Sequence, residues 1–293
     1  MQKFLDSWTD FWFHSFDEKR FRFFQIIFLA TVFVLYGMRL VDYTFLFSES
    51  GILPFAMLKD LPELLYVSIP VEMLAKNDTL GFSLHFLFVA LIGLTLFYRH
   101  IWLVAVALYA LHIVFLRRNP MGVYGVDMVS TFWFLYMAFV NVKAKSKIWQ
   151  ALNSTMFRLI QIQLCIIYAY SGLDKAKGVT WWRGDAIWYA LGNTQITSID
   201  FSFLAHAPSI LTLLAVITVL WETYFPILIW VPQIKKYVIY IGVFLHLGIA
   251  VMMNLYEFSF VMLAAYPLFM DKKMTHQLYE WLRLKPLIGR LVS

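Results

Sequence analysis

Long apolar runs separated by short charged segments set the pattern of this chain. The runs fall at about 21–43, 80–98, 101–116, 124–142, 156–174, 209–231, 236–254 and 256–270. A helix crossing a hydrocarbon core of about 30 Å needs roughly 20 apolar residues, and most of the runs approach that length. Membrane-barrel strands would instead alternate in segments of about ten residues. The pattern therefore predicts an all-α fold, a polytopic transmembrane helical bundle of about 8 spans. Arg99 and His100 alone separate the second and third runs, and the last run is short.

The stretches between the runs read differently from one another. Phe4, Leu5, Trp8, Phe11 and Trp12 follow helical spacing, with Asp6, Ser7, Thr9 and Asp10 opposite, so 1–20 is expected to form an amphipathic helix in the membrane interface. A frayed tail is the alternative. This stretch is charged throughout and lacks the apolar core of a signal peptide. Gly51, Pro54, Pro62 and Pro70 punctuate 44–79, leaving room for a short surface helix around 54–66. Segment 175–208 is too polar to cross, although Ala186–Leu191 reads as a half-helix dipping in. The expected organisation is an interfacial helix at 1–20, a transmembrane domain at 21–270 and a cytoplasmic tail at 271–293.

Composition excludes a soluble domain, because 61% of the residues are hydrophobic and only 14% charged. The net charge of +6 does not point to nucleic acid, since the positive residues lie in short loops where they set topology. With the N-terminus in the cytoplasm, the inner segments hold 16 of the 24 Lys and Arg residues. Eight crossings then return the C-terminus to the same side, so both termini are expected to be cytoplasmic. One cysteine, Cys165, sits inside an apolar run, so no intramolecular disulfide and no thiolate cluster can form.

This topology gathers the unusual polar residues on the outer half. Arg39 and Asp42 end the first span, Arg117, Arg118 and Asn119 close the third, and Asp127 opens the fourth. Lys175, Lys177, Arg183 and Asp185 follow the fifth, with Trp181 and Trp182 among them. Glu257 lies between the seventh and eighth, and Glu222 and His246 lie deeper. Ionisable groups at membrane depth are functional candidates because they are costly in lipid. Each also has a structural reading. Arg117 and Arg118 can bind lipid phosphates or snorkel. Arg39 and Asp42, three residues apart, can form an ion pair. Glu222 and His246 can pair across neighbouring spans, and Trp181 and Trp182 can anchor the interface.

Gln161, Tyr168 and Lys175 recur at seven-residue spacing and share a helical face, with Gly172 beside them. A lysine shielded from water can act as a base near neutral pH, so Lys175 is the catalytic candidate. It is expected to face a cavity walled by spans one, three, five, six and seven. An Asp174–Lys175 pair would oppose that role. No HExxH, phosphate-cradling glycine loop, nucleophile elbow or CxxC is present, and no metal site is expected.

Five stretches carry a resemblance. GILP at 51–54, RNPMGVYGVD at 118–127, YAYSGLDKAKGVTWWRGDAIWYAL at 168–191, WETYFP at 221–226 and HLGIAVMMNLYEFSFVMLAAYPLF at 246–269 resemble the HTTM family, the membrane domain shared with vitamin K-dependent gamma-glutamyl carboxylase. The likeness covers roughly 15–275. It implies a membrane enzyme core in which Lys175 matches the lysine base that takes a proton from a reduced, vitamin K-like quinone. Asp174 stands where the carboxylase has another lysine, and Pro120 where it has a histidine. The chain ends at Ser293, before the point where the carboxylase continues into a large lumenal domain. Independently of the resemblance, hydropathy, charge counting and the shared helical face nominate Arg117, Arg118, Asn119, Asp127, Tyr168, Trp182, Arg183, Asp185, Glu222, His246 and Glu257 as substrate-binding candidates around Lys175. The Lys and Arg count turns the site outward, and an inner-membrane location in a bacterium is expected. Two other functions remain open on the same scaffold. One is a non-catalytic, SdpB-like maturation or immunity factor that holds a small secreted peptide. The other is a lipid-binding or transport protein.

Overall fold

A computed structural model describes residues 2–58, 68–98 and 101–284. The chain is all-helical, and no strand occurs among the described residues. It divides into two compact units, the first comprising 1–158 with 276–293 and the second 159–275.

In the first unit, α1 (Gln2–Phe13) precedes α2 (Glu18–Val41), α3 (Tyr43–Phe47), α4 (Phe55–Leu58), α5 (Ser68–Lys76), α6 (Asp78–Phe97), α7 (Trp102–Arg118) and α8 (Gly125–Ala138). Helix α9 (Lys147–Lys177) begins here and continues into the second unit. Asp17 starts α2 by accepting the Arg20 backbone N–H, and Asn77 does the same for α6 with Leu80. Such caps satisfy donors that the first helical turn leaves open. At the other end of α6, Arg22 donates to the Thr95 and Leu96 carbonyls at 3.2 and 2.7 Å, supplying the donors that a helix C-terminus lacks. Aromatic rings fill the core between α2 and α8. Phe28 lies 4.9 Å from Phe134 and 5.4 Å from Trp133, centroid to centroid, with edges meeting faces.

The second unit holds the rest of α9, then α10 (Val179–Arg183), α11 (Asp185–Leu191), α12 (Pro208–Leu228), α13 (Lys235–Met253) and α14 (Tyr256–Ala264), which a 3₁₀ turn, Tyr266–Phe269, follows. Its core centres on Phe225, whose ring meets Tyr168 at 4.5 Å, Trp221 at 5.0 Å and Phe269 at 6.0 Å. Helix α15 (Lys272–Arg283) then leads back to the first unit, where Lys19 places its ammonium 4.4 Å from the Tyr279 ring.

Five helices are long and apolar enough to cross a membrane, namely α2, α6, α9, α12 and α13. This makes the chain a multi-pass membrane protein. The other expected spans are shorter. Helix α7 has 17 residues and α8 has 14, ending at Ala138 rather than continuing to 142. The last run splits into α14 and the 3₁₀ turn, because Pro267 lacks the N–H that an α-helix would need there. Helix α9 starts nine residues before the expected boundary of 156, since its first turns are polar but helical. The half-helix expected at Ala186–Leu191 forms as α11. The segment expected to be a tail contains α15, whose apolar and charged residues alternate at helical spacing. The Arg99–His100 turn and most of the 54–66 segment lie outside the described residues. Of the stretch 1–20, where one helix was expected, α1 covers only Gln2–Phe13, with Phe4 and Trp8 exposed, and α2 already begins at Glu18.

Candidate functional site

The second unit encloses a cavity of about 430 Å³. Ligand sites for small molecules commonly measure about 300–1,000 Å³ and are mostly apolar with a few convergent polar groups. This cavity has that character. Ile187, Leu214, Phe244, Ile249, Met252 and Phe258 make apolar wall, and Lys175, Glu222 and His246 reach it as titratable groups.

Lys175 stands in the last turn of α9 and Glu222 in the middle of α12. The Lys175 Nζ donates to Glu222 Oε2 at 2.7 Å and to the hydroxyl of Ser171, one helical turn earlier. Its ammonium also lies 5.2 Å from the Trp181 ring centroid. Both charged side chains keep some exposure, 21% for Lys175 and 12% for Glu222. Gly172 makes the pairing possible. A Cβ there would run into the Thr223 backbone nitrogen and come within 2.7 Å of the Thr223 hydroxyl, so the two helix backbones touch at this level. A larger residue would push α12 away and lengthen the ion pair.

Two turns below, Tyr168 is buried, and its hydroxyl meets His246 Nε2 at 2.6 Å and the Tyr266 hydroxyl at 2.9 Å. His246 Nδ1 is buried and has no hydrogen-bond partner among the described residues. Gln161, a further seven residues back, donates to the Leu268 carbonyl at 2.8 Å and does not line the cavity. The shared face therefore holds for Lys175 and Tyr168 as cavity groups, while Gln161 ties α9 to the 3₁₀ turn.

Other expectations need correction. Glu222 and His246 do not bond to each other, because Lys175 takes the carboxylate and Tyr168 takes the imidazole. Asp174 pairs with exposed Lys177 at 3.8 Å, not with Lys175. Trp182 points its indole N–H at the Ala176 carbonyl, 2.8 Å away, and stays outside the cavity lining, where Trp181 stands instead. Arg183 is exposed, Asp185 and Glu257 are half-buried, and none of the three side chains has an ion pair among the described residues. Asp185 and Glu257 each occupy the first turn of a helix, where negative charge suits the dipole.

The residues expected from spans one, three and four belong to the first unit and line none of this cavity. Arg118 is fully buried and donates to the Leu53 and Ser48 carbonyls, both at 2.7 Å, so it staples the 48–53 segment and does not meet lipid phosphate. Asn119 caps the turn at Gly122, and Arg117 is half-buried with no ion pair among the described residues. Arg39 passes over Asp42 to grip Asp127 with two bonds, at 2.7 and 2.8 Å. Tyr36, His112 and Thr131 continue that network. Tyr36 reaches His112 Nδ1 at 2.7 Å, and Thr131 reaches His112 Nε2 at 2.9 Å.

Sequence reading missed Ser171 and Tyr266, and it named Trp181 only as an interface anchor, not as a wall of the cavity. Ser171 carried a signal, since it lies four residues before Lys175 and must share its face. Tyr266 carried none, because its partner lies 98 positions away. Among the described residues no three His, Cys, Asp or Glu side chains gather to hold a metal ion. Compared with protein-family models, curated proteins and solved structures, the chain matches none.

Proposed function

We propose that this protein is a membrane enzyme of the HTTM type that removes a proton from a small, largely apolar ligand held in the second unit. The observation that carries the reading is the Lys175–Glu222 pair at the wall of an apolar cavity. Intramembrane charges are retained at a cost, and a pair that opens onto a cavity is better explained by a ligand than by packing. The motifs that resemble the vitamin K-dependent carboxylase support the same residue as base.

The walls suit a reduced quinone, with Trp181 and Phe258 among the lining aromatic side chains and Lys175 and Glu222 as the charged groups. Such a cofactor would supply reducing equivalents for oxygen and an acidic hydroxyl. Lys175 would bind near that hydroxyl. To serve as a base it must first give up a proton of its own, and Glu222 Oε2 is the atom within reach. Transfer leaves a neutral amine beside a neutral carboxylic acid, and the amine is then free to take a proton from the ligand. Ser171 and Trp181 hold the lysine in place meanwhile.

The same proposal includes eight crossings, with α7, α8 and α14 completing the five long spans, both termini cytoplasmic and the cavity opening outward in a bacterial inner membrane. The Lys and Arg count supports this orientation. A cysteine placed at Ser198 should react with a membrane-impermeant reagent on intact spheroplasts, and labelling only after lysis would refute the orientation.

The function is tested by mass spectrometry of small molecules that copurify in mild detergent. A ligand with an ionisable hydroxyl, retained by the native protein, is the expected result. Recovery of only a peptide or phospholipid would overturn the enzyme reading in favour of a holding or transport role. Lys175→Arg should assemble normally and lose activity, because a guanidinium keeps the charge without releasing a proton.

A further inference from the structure

We infer that the cavity opens sideways into lipid along α13, and that its ligand is an uncharged amphiphile whose hydrocarbon chain lies in this opening while its head lies at the Lys175–Glu222 end. The inference rests on the cavity being a ligand site, as proposed above, but it does not depend on Lys175 acting as a base.

The lining is covered very unevenly. Tyr168 and Met262 line the cavity and are 2% and 1% exposed, so they form its back. Phe244 lines the same cavity and is 68% exposed, so it stands at an edge where the wall ends. Phe244, Gly248 and Met252 recur every four residues on α13 and all line the cavity, so one face of this helix forms the edge. Gly248 leaves a notch in that edge. A Cβ added there would meet nothing within 4 Å, whereas one at Gly242 on the same helix would run into the Tyr266 hydroxyl and the Trp221 ring.

Depth decides what lies outside the edge. Phe244 is the tenth of the 19 residues of α13, one of the five helices long and apolar enough to cross a membrane. The middle of such a helix sits in the hydrocarbon core, so the edge meets acyl chains and not water. The wall from α12 matches that surrounding. Its Thr218 hydroxyl and Trp221 indole N–H are spent on the Leu214 and Val238 carbonyls, so it offers apolar surface until Glu222 is reached. The edge from Phe244 to Met252 runs about 12 Å, which suits a chain lying along it. At the other end the charges of Lys175 and Glu222 cancel each other, so a hydroxyl head fits better than a phosphate. Gly248 is then a specificity-determining position, because a side chain there would occupy the space of the ligand's chain.

Two measurements on the full-length protein test this. In the first, titration in detergent compares 4-dodecylphenol with 4-ethylphenol, which share a head and differ in their chains. Native and variant proteins are compared at one detergent concentration, so partitioning of each probe into micelles cancels. Gly248→Leu fills the notch without displacing a neighbour and replaces glycine by a better helix former, so the fold should hold. It should weaken 4-dodecylphenol by about tenfold, as for about two displaced methylenes, and leave 4-ethylphenol within about twofold. Gly37→Leu in α2, where a Cβ likewise meets nothing within 4 Å, should change neither. Equal effects of Gly248→Leu on both probes, or no effect on either, overturn the sideways opening and leave the cavity as a ligand site. No binding of either probe to the native protein refutes the ligand site as well. In the second measurement, native protein in nanodiscs is photolabelled with 4-dodecylphenol carrying a diazirine midway along its chain, and the label is mapped by mass spectrometry. Label at Phe244, Gly248 or Met252 that excess 4-dodecylphenol displaces is the expected result. Label that is not displaced, or that falls only elsewhere, overturns the inference, and this arm decides it even if Gly248→Leu fails to fold.

Discussion

The two units each hold an ion pair next to a tyrosine–histidine contact, and they close it differently. In the first unit Arg39 grips Asp127 through both oxygens, and the carboxylate also accepts the Tyr124 backbone N–H. Both nitrogens of His112 have partners, and Tyr36, His112 and Asp127 are wholly buried. In the second unit Lys175 meets one oxygen of Glu222, His246 keeps one nitrogen open, and the whole set faces a cavity. The same residue types thus make a sealed brace in one place and an unfinished site in the other. What distinguishes them is satisfaction. A network whose every donor and acceptor is used has nothing left for a ligand, whereas one left partly open is costly until something completes it.

Breaking the sealed network should have the largest effect on stability. Asp127→Ala strands Arg39 among buried neighbours, and a loss of about 3–5 kcal/mol is expected, read as a fall in the thermal or denaturant midpoint in detergent. Probe binding in the cavity should survive in whatever protein remains folded. A smaller cost attends Gly172→Ala, which forces α9 and α12 apart at the level of the open site. Overpacking of this kind costs about 1–3 kcal/mol, and the same variant should lose ligand binding because the Lys175–Glu222 contact stretches.

The expectation for Glu222→Gln runs the other way round. The pair is partly solvated, so stability should change by about 1 kcal/mol or less. Activity should nevertheless fall by at least about a hundredfold, the usual scale for losing a positioned proton-transfer group. Stability loss as large as that of Asp127→Ala would show that both pairs are braces and that the contrast fails. The smallest effect overall is expected at Trp182→Phe, which removes one exposed hydrogen bond to the Ala176 carbonyl and costs about 0.5 kcal/mol. Ligand affinity should be untouched, whereas Trp181→Ala should weaken it by removing a wall.

Sequence pattern made the helical membrane class legible because apolar length is a direct physical requirement of crossing lipid. It also marked Lys175, Tyr168, Glu222 and His246, since polar groups stand out against apolar neighbours. It could not say which polar group meets which. Arg39 has Asp42 three residues away and chooses Asp127, 88 positions on, because Asp127 is buried and needs a partner while Asp42 is exposed. Arg118 looked like a lipid contact for the same reason. Its charge was visible, but the Ser48 and Leu53 carbonyls that consume its donors come from a remote segment. Trp181 and Trp182 are adjacent and identical, and only the short helix α10 decides which one turns toward the lysine.

Helix α9 also acts as a depth gauge. Its 31 residues extend about 46 Å, far more than a hydrocarbon core. Two cations divide it. Arg158 is held outside the apolar stretch by the Phe11 carbonyl at 2.9 Å, and Lys175 is held by Glu222. Between them, Leu159–Leu173 spans only about 23 Å. A hydrocarbon core of ordinary thickness exceeds that interval, so one end of the stretch must keep a cation at membrane depth. Lys175 is the one provided for, since Glu222 and the cavity rather than lipid receive its ammonium.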